Sequence, residues 1–225
     1  MLDYMLDNIF GKRTYVTGDI PLDYEFINKN SKQTVVFFHG YGQHFGFMKK
    51  KFSFLFKDQN LLFINGIYPL APEIKDNIPE IKLRFAWYFF NPHTKKYFIP
   101  PEVPAKIIKN LLFKLSLEED KLLFLGFSQG GYLAPFIAEH FEQSHVISIN
   151  ANLRIDLLPK KVLFNYHSIN GENDQIVDPV GAKASTELFI KQGNNAKNTI
   201  VKKSGHLIDQ NILDTVQQVI EKSFD

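Results

Sequence analysis

The chain has 225 residues, a formal net charge of +2, 44% hydrophobic and 22% charged residues, an ordinary globular composition that excludes disordered and fibrous classes. So small a charge also argues against a nucleic-acid-binding surface, and the length suits one domain with a real core. Cysteine is absent, which removes disulfides, thiolate metal ligands and a cysteine nucleophile, and agrees with a reducing, cytoplasmic location. The opening stretch MLDYMLDNIF carries Asp3 and Asp7 where a secretory leader would be basic, and no apolar run reaches the ~18 residues that a membrane span requires. No stable membrane insertion is therefore expected.

Within residues 1–33, Arg13–Thr17 and Leu22–Ile27 flank a Gly-Asp-Ile-Pro turn and predict an antiparallel edge hairpin. From Thr34 onward, short apolar runs alternate with helical patterns. Strands are predicted at Thr34–His39, Leu61–Asn65, Lys121–Phe127, His145–Ile149, Lys161–His167 and Asn198–Lys203. Most are continuous apolar stretches, as expected of parallel strands buried on both faces. Ile107, Ile108, Leu111, Leu112 and Leu115 recur at helical spacing, as do Ile208, Ile212, Val216, Val219 and Ile220. The cluster Lys49-Lys50-Lys51 reads as the solvated face of a helix. The pattern predicts a single α/β domain over residues 1–225, with a mostly parallel central sheet flanked by helices on both faces. One irregular segment, residues 83–104, is aromatic, proline-punctuated and too long for a plain connection. It is either a lid or pocket wall, with Trp87 and Tyr88 as substrate-binding candidates, or a core-packing loop with Trp87 buried.

The segment LLFLGFSQGGYL, Leu122 to Leu133, places Gly126-Phe127-Ser128-Gln129-Gly130 between a buried strand and a helix. In that setting a G-x-S-x-G pattern holds the serine on a strained strand-to-helix turn with its hydroxyl pushed out of the sheet. Side chains at positions 126 and 130 would collide with the turn, and Gly131 lets the helix approach neighbouring strands. Gln129 is expected to contribute chiefly its backbone amide. Pro135 falls inside the helix and should kink it.

A serine hydroxyl is a poor nucleophile at neutral pH and needs a base oriented by a carboxylate, here expected in the chain order serine, acid, histidine. Of seven histidines, only His206 lies in a glycine-containing loop between the last strand and the last helix. For the acid, Asp174 in NGENDQIVDPV is favoured. Asp178, ahead of Pro179, already suits a helix N-cap, as does Asp209, and Glu172 comes early and exposed in the turn. The oxyanion of a tetrahedral intermediate needs backbone donors. The Gln129 N–H supplies one, and Gly40 and Gly42 in FFHGYGQ would let the Tyr41 N–H swing in as the other.

The segments HGYGQ, AWY, GFSQGG, NGENDQIV and SGH resemble, in order, the motifs of the phospholipase/carboxylesterase group of α/β-hydrolases, which includes acyl-protein thioesterases. The resemblance runs from about Val35 to the C-terminus. It implies Ser128, Asp174 and His206 as a triad, Tyr41 and Gln129 as the oxyanion hole, and neither a metal nor an organic cofactor. It implies a serine carboxylesterase acting on a small acyl ester, thioester or lipid-like substrate, with lysophospholipase or protein-thioesterase activity as the neighbouring alternative. The group often has His-Gly where this chain has Asn170-Gly171, a change that does not touch the carboxylate. A rival from another class is a catalytically silent binding protein on the same scaffold.

Overall fold

Strands with an apolar residue at every position form a stable sheet only where both faces are covered, because neighbouring side chains point to opposite sides. The computed structural model, which describes residues 16, 18–71, 73–75, 78–80 and 83–221, meets that condition. The strands are β1 (Tyr24–Ile27), β2 (Gln33–Phe38), β3 (Asn60–Ile64), β4 (Lys121–Phe127), β5 (His145–Ile149), β6 (Asn165–Gly171) and β7 (Ala196–Val201). They make one sheet in the order β1-β3-β2-β4-β5-β6-β7, parallel throughout except for β1, which runs antiparallel to β3 at the edge.

Val36, Phe38, Leu122 and Phe124 face one apolar layer, and Val35, Phe37, Leu123 and Leu125 face the other. Helices α2 (Glu102–Lys114), α3 (Gln129–Ala138) and α4 (Pro179–Lys191) cover the first; α1 (Phe45–Phe52) and α5 (Gln210–Ile220) cover the second. Much of the phenylalanine is spent here: Phe37, Phe38, Phe52, Phe56, Phe63 and Phe124 are fully buried, and the rings of Phe37 and Phe63 stack at 4.4 Å.

Asp178 and Asp209 cap α4 and α5, accepting from Val180 and Gly181 in one case and from Ile212 in the other. In α1, the Lys49 ammonium pairs with Glu25 at 2.5 Å and Lys51 donates to the Ile208 carbonyl at 2.7 Å. Among the described residues, no helix is long and apolar enough to cross a membrane.

Two expectations change, and a third is only partly described. The first arm of the predicted N-terminal hairpin lies outside the described residues apart from Val16, and the edge strand Tyr24–Ile27 pairs with β3. The strand predicted at Lys161–His167 forms at Asn165–Gly171. Its inner half carries Ser168 and Asn170, both fully buried. Asn170 accepts from the Ala151 N–H at 3.2 Å and donates to Ser168 Oγ, so the polar groups satisfy one another and leave no apolar run to read. Lastly, residues 83–104 are not structureless. Phe85–Ala86 pairs with Tyr68–Pro69, Phe89–Asn91 pairs with Lys96–Ile99, and α2 begins at Glu102.

Helix α3 continues through Pro135. The missing proline N–H leaves the Gly131 carbonyl without its helical donor. Ser148 Oγ on β5 fills that vacancy, donating to Gly131 O at 2.8 Å.

Candidate active site

The C-terminal ends of the parallel strands bring the chemistry-bearing loops together. Gly126 pairs with Phe38, so the turn after β4 and the loop after β2 leave the sheet side by side. Ser128 sits on that turn with φ 50° and ψ −118°, a conformation that costs an L-residue on the order of 1–3 kcal/mol. Close backbone packing maintains it. A Cβ on Gly126 would lie 2.2 Å from the Gly130 carbonyl oxygen, and one on Gly130 would lie 2.3 Å from Phe38 O. The Ser128 N–H donates to Ile149 O at 2.8 Å and fixes the turn to β5.

Ser128, His206 and Asp174 come from three separate loops and form one hydrogen-bonded line. His206 Nε2 lies 2.9 Å from Ser128 Oγ, and His206 Nδ1 lies 2.7 Å from Asp174 Oδ2. A carboxylate only accepts, so Nδ1 carries the proton and Nε2 is free to receive one from the serine. The Asp174 side chain is wholly buried, and its other oxygen, Oδ1, accepts the Ile176 and Val177 N–H groups at 2.8 and 2.9 Å. The His206 ring packs against Phe127 with centroids 5.2 Å apart. Of the three competing acids, Asp178 and Asp209 are occupied as helix caps, and Glu172 accepts the Lys203 N–H at 3.3 Å.

In the loop after β2, the amides of Gly40, Gly42 and Gln43 are all engaged. Gly40 N–H donates to Gln43 Oε1 at 2.9 Å and Gly42 N–H donates to Phe85 O at 2.9 Å. Between them, the Tyr41 N–H has no partner among the described residues, and neither has the Gln129 N–H at the start of α3. The elbow and this loop therefore each present one free donor, of the kind that stabilises developing negative charge.

His39 holds that loop from inside. It is completely buried; Nδ1 donates to Gly40 O at 2.7 Å and Nε2 accepts the Gly66 N–H at 2.8 Å, which requires the neutral ring. Burial pushes its pKa down to about 4. Below pH 6.5 the unfolded chain takes up a proton here that the folded chain refuses until about pH 4. Stability should therefore fall by ~1.4 kcal/mol per pH unit across that window on this account, about 3 kcal/mol in all. Urea unfolding of the native chain and of His39→Gln, compared between pH 7 and pH 4.5, isolates the effect; equal pH slopes in the two proteins would refute it.

Trp87 and Tyr88, the substrate-binding candidates, are both buried. Trp87 is 0% exposed, its indole N–H donates to His39 O at 2.8 Å, and its ring packs edge-on against Phe38. Tyr88 is 6% exposed beside Tyr97, and burial pushes its hydroxyl well above the usual range, so it stays protonated. The physical reason is the Gln129 side chain, whose role the sequence understated. Its Oε1 accepts the Trp87 N–H at 2.9 Å and its Nε2 donates to Tyr88 O at 2.8 Å, drawing the aromatic segment onto the elbow.

The hairpin beyond it is pinned from the other side. Arg154 donates to the Tyr97 hydroxyl, lies 5.3 Å from that ring's centroid, and forks onto Asp156 at 2.8 and 2.6 Å. Exposed apolar side chains close in sequence to the triad and oxyanion candidates are Tyr41, Ile176, Val180 and Leu207, which are 51–74% exposed. Each lies within six residues of a triad or oxyanion candidate in sequence, a signal that the reading of residues 83–104 overshadowed. No group of three or more His, Asp or Glu able to hold a metal ion occurs among the described residues.

Residues 25–224 match the family described as Phospholipase/Carboxylesterase, nearly the whole chain. The chain belongs to that family. Membership makes it a carboxylic ester hydrolase. Among solved structures it is similar to esterase PE8, with TM-score 0.71 and 19% identity over 90% of this chain and 99% of that one. It is also similar to the Zea mays acyl-protein thioesterase 2, with TM-score 0.70 and 16% identity over 90% and 99% of the two chains. A Mesorhizobium loti carboxylesterase matches with TM-score 0.70 and 17% identity over 92% and 98%. At such identities these likenesses carry the α/β-hydrolase fold alone. No curated protein matches the chain.

Proposed function

We propose that the protein is a serine carboxylesterase that cleaves short- to medium-chain acyl esters or thioesters through an acyl-enzyme. The hydrogen-bonded line Asp174–His206–Ser128, at 2.7 and 2.9 Å, carries this reading. Ser128 Oγ attacks the acyl carbon while His206 Nε2 takes its proton. The carbonyl oxygen becomes an oxyanion held by the Tyr41 and Gln129 N–H groups. His206 then returns the proton to the departing alcohol or thiol, and the carbon–oxygen or carbon–sulfur bond breaks. Water, deprotonated by the same histidine, releases the carboxylic acid and restores Ser128. Asp174 keeps the imidazole in the competent tautomer throughout. No metal or organic cofactor takes part in these steps. The cysteine-free composition supports a cytoplasmic location.

A fluorophosphonate probe should label Ser128 on the folded protein, and an unlabelled Ser128 would favour the silent scaffold instead. A second reading, lysophospholipase or acyl-protein thioesterase, is favoured by the exposed apolar side chains of Tyr41, Ile176, Val180 and Leu207, close in sequence to the line. Rates over a series of p-nitrophenyl acyl esters separate the two. Each methylene that enters an apolar groove should lower the barrier by up to about 0.8 kcal/mol, close to fourfold in kcat/KM. We expect kcat/KM to climb through medium chains. A rise that persists into long chains supports the lipid reading, and a series that falls beyond acetate or butyrate counts against it.

A further inference from the structure

The C-terminal end of β5 touches all three segments that carry the line. Ile149 accepts the Ser128 N–H through its carbonyl at 2.8 Å. The next residue, Asn150, is fully buried and reaches the other two segments with its side chain. Its Oδ1 accepts the Gly171 N–H at 2.9 Å, where β6 passes into the turn that bears Asp174. Its Nδ2 donates at 2.9 Å to the carbonyl of Gly205, the residue immediately before His206.

One rigid carboxamide, using its donor at one end and its acceptor at the other, thus spans the acid turn and the histidine turn. No other small side chain does this: a serine is too short to span both, an aspartate lacks the donor, and a leucine has neither group. The backbone also favours this residue. Asn150 has φ 49°, in the left-handed region that asparagine tolerates better than most residues, and its N–H donates to Ile169 O at 2.9 Å. A backbone bond from Asn173 N–H to Ser204 O, 2.8 Å, also joins the two turns, but it ends two residues short of His206.

We propose that Asn150 is a positioning residue for ester hydrolysis. By holding Gly205 against the Asp174 turn, it sets where the His206 ring stands between Asp174 and Ser128. The inference rests on the triad reading above and goes beyond it by adding a residue that touches neither substrate nor reacting atoms. Misplacement of a reacting group by about 1 Å costs on the order of 100-fold in rate, which sets the scale of the effect.

Asn150→Gly is the discriminating variant, because glycine accepts the left-handed backbone and removes only the two side-chain bonds. Two readouts are taken on the purified variant. The first is kcat and KM for a short p-nitrophenyl ester: kcat should fall roughly 10- to 100-fold while KM changes less than twofold. The second does not depend on activity. The Nδ1 proton of His206, shared with Asp174, should give a strongly downfield proton resonance in the native chain that weakens or moves upfield in the variant.

If the native chain shows the resonance but hydrolyses no ester, the functional reading fails while the positioning role is still judged by the spectrum. A folded Asn150→Gly protein with native kcat, or with lost kcat and an unmoved resonance, overturns the proposal. Should the glycine variant not fold, Asn150→Asp keeps the acceptor for Gly171 and replaces the donor to Gly205 with a carboxylate oxygen that repels that carbonyl. It is then expected to lose at least tenfold in kcat at nearly constant KM. Native kcat in that variant, or failure of both variants to fold, assigns Asn150 a purely structural role.

Discussion

Ser128→Ala should lower kcat for p-nitrophenyl esters by a factor on the order of 10⁶ and abolish fluorophosphonate labelling, with little change in stability. The large kinetic loss follows from the geometry. Ser128 Oγ is the atom that His206 Nε2 faces at 2.9 Å, and without it the base has only water to activate. The small stability change follows from the elbow. Alanine has the same Cβ and bears the same strain at φ 50°, and the close contacts that maintain the turn come from the backbones of Gly126, Gly130 and Phe38. Only one side-chain hydrogen bond disappears, which is worth about 1 kcal/mol. Thermal unfolding and steady-state kinetics on one preparation test both parts. Turnover above roughly a thousandth of the native rate in a contaminant-free sample would remove Ser128 from the mechanism.

Asp174→Asn should reduce kcat on the order of 10⁴-fold while preserving the fold, and the direction of its amide explains why. Oδ1 accepts two backbone N–H groups, from Ile176 and Val177, on a side chain that is wholly buried. An asparagine must keep its oxygen on those donors, so its NH₂ group turns towards His206 Nδ1. That nitrogen is then forced to accept, the ring proton moves to Nε2, and the base can no longer take the serine proton. The variant should recover partially at high pH, where alkoxide attack needs less help, and KM should hardly move. Activity within tenfold of native would mean that the carboxylate is not the orienting group.

The local pattern of the chain was enough for the elbow, the order serine–acid–histidine and both helix caps, because each is set by short-range rules. Gly126 and Gly130 are demanded by contacts within one turn. Asp178 and Asp209 could be excluded as the acid because capping occupies a carboxylate with the next few amides. Periodicity found β4 and β5 with their bounds intact, since apolar residues predominate on both of their faces. It misplaced β6, whose inner half is made of polar groups bonded to one another across the sheet.

Chain order and residue type by themselves determined the fold class, the family and which three side chains would meet. Distances, and the groups that hold them, were decided by the tertiary structure. Trp87 and Tyr88 look like pocket residues in a string of aromatics, yet Gln129 grips their backbone and burial takes their surface away. Asn150 shows nothing in sequence, because its partners Gly171 and Gly205 lie 21 and 55 residues away. A side chain that acts by bridging loops leaves no local pattern, since its reason for being there exists only once the strands have brought those loops side by side.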